Sequence, residues 1–128
     1  MMEMKVKEII SKYGFNQTIE LLEKAVEDYG LKVVSTIDAQ ANLKKINVEV
    51  GGNKILEVFH PKLAKEVLDG DLRGGIVPPL RIYVYEENGT THVETQNVME
   101  LFSEFNGLEE LGRKVDGILN SVINSVRQ

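Results

Sequence analysis

The hydrophobic positions follow two periods along the chain, three to four residues in some segments and two in others. That pattern predicts short strands interleaved with helices. Residues 4–12 carry Val6, Ile9 and Ile10 among charges and predict a first strand close to a sheet edge. Tyr13-Gly14-Phe15 breaks it, and Asn16 is placed to cap a helix over 17–29, where Ile19, Leu22, Val26 and Tyr29 recur at helical spacing. Gly30 supplies a left-handed stop. Leu31 to Ile37 is rich in β-branched residues and predicts a strand. Asp38 is positioned to cap a short helix over 39–45, after which Val48, Val50 and Gly51-Gly52 predict a loop or short extended piece. Lys54 to Phe59 predicts the next strand, and Pro61 stands at the favoured first position of a helix over 62–68. Gly70, Gly74 and Gly75 predict a loose connection, and Pro78-Pro79 fixes the entry to the strand beyond.

The strongest local signal is a hairpin. Leu80 to Glu87 and Thr90 to Gln96 flank Asn88-Gly89, a pair suited to the type I′ turn. A two-residue loop fixes register, so Tyr85 is expected opposite His92, Val84 opposite Val93, and Tyr83 opposite Glu94. Leu80, Ile82, Val84 and Val93 then share a core face, while Arg81, Tyr83, Tyr85, His92 and Glu94 share the other. Val98, Met99, Leu101, Phe102 and Phe105 suggest a short helix. Asn106, with Glu109 three positions on, resembles a capping box opening a final helix over 108–126. Leu108, Leu111, Val115, Ile118, Leu119, Val122 and Val126 form one stripe of it, with Arg, Lys, Asp, Asn and Ser opposite. Such a helix should lie across the sheet as half of the core. The expected architecture is therefore α+β, one domain over residues 1–128.

Several of these pieces together resemble the family known as domain of unknown function 302. They are an amphipathic first helix ending in Gly30, a strand ending in Ile37-Asp38, His60-Pro61-Lys62-Leu63, Pro79-Leu80-Arg81, and Tyr85-Glu86. The resemblance covers most of the chain. It implies a single antiparallel sheet in the order β-α-β(4)-α with helices packed on one face, in intracellular and often dimeric proteins with no established activity. Some members carry cysteine where this chain has Phe59 and Leu80, so a thiol or metal role there does not transfer. The usual Asn before the Pro is His60 here.

Composition narrows the partners. The chain has 128 residues, 42% of them hydrophobic, enough for a core without staples. It has no cysteine, hence no disulfide, thiol nucleophile or cysteine metal cluster. The net charge is −5 and no basic run occurs, which opposes binding to nucleic acid or to an anionic membrane surface. The N-terminus carries charges where a signal peptide needs an apolar run, and no stretch approaches the roughly 20 apolar residues of a membrane span. A cytoplasmic protein is expected.

Candidate chemistry is sparse. His60 precedes Pro61 at a helix N-terminus, where free N–H groups favour anions; the plainer reading is an ordinary cap. Arg81 could fork onto a ligand carboxylate, or pair internally with Asp38 or Glu94. Tyr83, Tyr85, His92 and Glu94 could line a ligand cleft or a dimer contact, or serve only as cross-strand pairs. His60 and His92 have no close ligand spacing, and the Gly51-Gly52 and Gly74-Gly75 pairs read as flexible connections rather than phosphate loops. No metal or cofactor is expected. The reading that fits best is a homodimeric binding module for a polar or anionic small ligand near Asp38, His60 and Arg81. The alternatives are a structural or regulatory homodimer without ligand, and an enzyme using His60 or His92 as general base beside a carboxylate.

Overall fold

The computed structural model describes residues 5–128. Its elements are β1 (Val6–Ile10), α1 (Phe15–Asp28), β2 (Lys32–Asp38), α2 (Ala39–Lys44), β3 (Asn53–Phe59), α3 (Pro61–Gly70), β4 (Leu80–Glu87), β5 (Thr90–Gln96), α4 (Val98–Ser103) and α5 (Glu109–Asn124), with a 3-10 turn over Leu72–Ile76. The strands form one five-stranded sheet in the order β1-β5-β4-β3-β2. Every neighbouring pair is antiparallel. The α+β class and the single antiparallel sheet are as expected. The order β-α-β(4)-α holds for the main elements, with α2 and α3 inserted between its later strands. Met4, the first residue of the expected opening strand, lies outside the described residues.

Alternation in the strands decides which face is covered. Ile9, Leu56, Val58, Leu80, Ile82, Val84 and Val93 are buried on the inner face, beneath α1 and α5. The helices contribute Ile19, Leu22, Val26, Leu111, Val115, Leu119 and Val122. The hairpin register is the expected one, from Glu87 opposite Thr90 to Ile82 opposite Thr95. The reason is local: Asn88 at φ 52° and Gly89 at φ 78° close a two-residue loop that leaves no freedom to slip.

Four local expectations are corrected. Asn16 is not the cap of α1; Thr18 N already donates to Gly14 O, so the helix starts earlier and Asn16 falls in its first turn. Asn106 makes no capping box either, because α5 begins from Leu108 with no side-chain cap. The side-chain cap lies instead at Asn97, whose Oδ1 accepts from Glu100 N at 3.1 Å to open α4. The glycine connection after α3 is tight rather than loose. A Cβ on Gly74 would stand 2.5 Å from Leu108 Cδ1, and one on Gly52 would stand 2.6 Å from the Phe15 ring. Both positions are glycine because a neighbour fills the space. Finally, Asp116 is buried rather than on a solvated face of α5.

Candidate functional site

Among the described residues no helix covers the outer face of the sheet, whose side chains are half-buried or exposed, and β-pairing assembles it row by row. One row runs Glu8, Glu94, Tyr83, Ile55, Ile37; another runs Ile10, His92, Tyr85, Asn53. Tyr83 and Tyr85 stack with ring centroids 5.2 Å apart, and Tyr85 stacks on His92 at 4.6 Å with planes 5° apart. These distances are ordinary for favourable offset stacking. The ladder is tied at its edges. Tyr85 donates its hydroxyl proton to Glu8 Oε1 at 2.7 Å, His92 Nδ1 lies 2.8 Å from the same oxygen, and Asn53 Nδ2 donates to the Tyr83 hydroxyl at 2.7 Å. With the Glu8 carboxylate as acceptor, Nδ1 carries the proton and Nε2 has no partner among the described residues.

Electrostatics on this face are set by crowded carboxylates. The Tyr85 hydroxyl is pushed up to about 12, first by its hydrogen bond to Glu8, then by burial and by the charges of Glu8, Glu94 and Glu87. Burial, and then the charge of Glu8, raises the Glu94 carboxyl above its ordinary value, while His92 works against that shift. A group with a raised folded pKa contributes most below its unfolded value near 4.5, and that contribution is lost as pH rises through the carboxylate range. Glu94 therefore destabilises the neutral-pH protein, where it faces Glu8 directly across the strands. Glu94→Gln is expected to stabilise by roughly 0.5 kcal/mol at neutral pH and to make no difference in acid. Urea unfolding at both pH values checks this; equal stability of the two proteins at neutral pH would refute it.

The structure separates the seven sequence-predicted residues. Arg81, Tyr83, Tyr85, His92 and Glu94 share the open face. Asp38 and His60 do not join them. Asp38 pairs in register with Lys54 at one end of β3, and His60 follows Phe59 at the other, about 20 Å along the strand. Both are helix caps: Asp38 Oδ1 accepts from Ala41 N at 2.9 Å, and His60 Nδ1 accepts from Lys62 N at 3.1 Å. Arg81 pairs with neither Asp38 nor Glu94; its neighbour in register is Glu57 on β3. Glu8 is the residue that sequence reasoning missed. It comes from β1, whose pairing with β5 no turn dictates.

At the Arg81 end the face opens into a cleft of about 360 Å³, lined by Glu57, Arg81, Gln96, Pro78, Leu101, Phe105 and their neighbours. No group of three or more metal-binding side chains is gathered among the described residues. Nor is any helix there long and apolar enough to cross a membrane.

Fold and face together define a class: a small α+β protein whose one antiparallel sheet is covered by helices on one side and carries a polar, aromatic surface on the other. The chain belongs to the family of domain of unknown function DUF302, whose model matches residues 7–126. It is similar to the crystal structure of an uncharacterized conserved DUF302 protein from Bacillus stearothermophilus. The two are 26% identical, the match covers 98% of this chain and 100% of that one, and the TM-score is 0.90. No curated protein matches the chain.

Proposed function

We propose that the protein is a binding module that holds a small polar ligand on the open face of its sheet, at Arg81, Tyr83, Tyr85, His92 and Glu94. The observation that carries this reading is the Tyr83–Tyr85–His92 ladder, tied by Glu8 and Asn53 beside an Arg81 that has no ion-pair or hydrogen-bond partner among the described residues. Side chains already fixed by stacking and hydrogen bonds lose little freedom on binding, which favours recognition. The Glu8–Glu94 pair, which His92 offsets only in part, points the same way, since stability is commonly sacrificed where a surface serves a ligand. His60 and Asp38, engaged as caps elsewhere, are left out of this site.

The test is nuclear magnetic resonance of the labelled protein titrated with a panel of small organic acids, amines and amino acids. Saturable shifts of the Tyr83, Tyr85 and His92 ring signals are expected for at least one compound. If none of the panel moves these rings, the reading is wrong.

A cytoplasmic homodimer is the accompanying reading. It draws support from Val6, Ile10, Val34 and Ile37, exposed apolar side chains on the edge strands β1 and β2. Sedimentation at micromolar concentration gives a dimer mass if it holds, and a monomer mass if it does not.

A further inference from the structure

We propose that the cleft at the Arg81 end of the face takes a zwitterion: a carboxylate and an ammonium group close together on an apolar body. This rests on the reading that the open face binds a small ligand, and it names the ligand class.

Three charged side chains line the cleft, Glu57 from β3, Arg81 from β4 and Glu104 at the end of α4. Glu57 and Arg81 are direct cross-strand partners, yet they form no ion pair, and Glu104 has no ion-pair partner either among the described residues. Opposite charges that face one another across two strands without bridging leave a gap with a donor on one side and an acceptor on the other. The planar guanidinium fork of Arg81 matches a carboxylate, and the carboxylates of Glu57 and Glu104 match an ammonium. A simple organic anion would satisfy Arg81 but sit against two carboxylates, and a simple amine would leave Arg81 unanswered. Only a ligand bearing both charges brings each group a partner. Apart from Gln96 the remaining wall is apolar, built by Val77, Pro78, Leu101 and Phe105 among others, and that part suits a hydrocarbon side chain rather than a sugar or phosphate.

The test uses leucine, phenylalanine and methionine as zwitterions. The singly charged controls are 4-methylpentanoate, which lacks leucine's amine, and 3-methylbutylamine, which lacks its carboxylate. The signals followed are the Arg81 side-chain N–H and the Leu101 and Phe105 resonances. The expected result is saturable binding of an amino acid, with both leucine controls weaker by roughly tenfold or more where leucine binds. Arg81→Gln should abolish leucine's advantage over the amine, and Glu57→Gln its advantage over the carboxylate. Both sites lie on the open face, and unchanged spectra elsewhere establish that the variants fold. Equal binding of 4-methylpentanoate and leucine would overturn the zwitterion and leave an anion site. Silence toward all three amino acids, with ring shifts from other compounds, would overturn it while the broader reading stands. Silence toward every compound would remove both.

Discussion

Phe102→Ala should cost the protein roughly 3–5 kcal/mol, the largest loss expected from any single truncation. Phe102 is fully buried and among the largest such side chains in the core. It stands on α4, and α4 lies very close to α5: a Cβ on Gly112 would be 2.9 Å from Phe102 Cβ. The size of the effect depends on whether the helix can sink into the hole. Here it is held at its start, because Asn97 Oδ1 accepts from Glu100 N and Asp116 Oδ1 accepts from Val98 N at 3.1 Å. A pinned helix relaxes poorly, so the cavity stays and the cost belongs near the top of its range. Urea unfolding measures it, with the slope against denaturant unchanged if both states keep their compactness. Phe102→Leu should recover more than half of the loss. A cost below about 1 kcal/mol for the alanine variant would mean that α4 is not anchored through this ring. The same helix delivers Leu101 to the cleft and leads into Glu104 and Phe105 there. The variant should therefore also blur any ligand response at Arg81.

The parts of the fold legible in the sequence are those set by short-range chemistry. Asn88-Gly89 determines a turn, the turn determines register, and register puts Tyr85 opposite His92 and Tyr83 opposite Glu94. Asp38 and Pro61 mark helix starts because a side-chain oxygen or a missing N–H solves a local problem there. What sequence could not supply is where distant segments meet. Glu8 reaches Tyr85 and His92 only because β1 returns to pair with β5, a choice made by packing across the sheet. The cleft has the same origin, with Glu57, Arg81 and Glu104 coming from three elements. Asp38 is set apart from His60 and Arg81 for a complementary reason: all three stand near element ends, but Asp38 pairs with Lys54 at the start of β3, whereas Arg81 pairs with Glu57 and His60 follows Phe59 toward its other end. Asn97 could have been found, since Glu100 follows it at capping-box spacing.

Asp116 shows how a single polar side chain can be decisive in such a small core, and Asp116→Ala should destabilise by about 3 kcal/mol. The apolar stripe of the last helix places this residue on the opposite, polar side, yet α5 has a second partner besides the sheet. Gly112 and Asp116, four residues apart, face α4 together. Asp116 Oδ1 accepts from Val98 N at 3.1 Å and Met99 N at 3.4 Å, two of the donors that a helix start leaves without partners. Its other oxygen meets Lys7 Nζ at 2.5 Å. One carboxylate thus joins β1, α4 and α5. Truncation strands buried N–H groups at about 1–3 kcal/mol and removes the partner of a half-buried ammonium. Lys7 can still turn toward water and keeps Asn120 Oδ1 at 3.1 Å, so the charge contributes the smaller share. That division is testable. Lys7→Met should cost only about 1 kcal/mol and leave the α4 amides protected from hydrogen exchange, because Asp116 still caps them. Asp116→Ala should expose those amides, and Asp116→Asn, which retains an acceptor oxygen, should fall between the two. If Lys7→Met proved as damaging as Asp116→Ala, the ion pair rather than the cap would hold α4 in place.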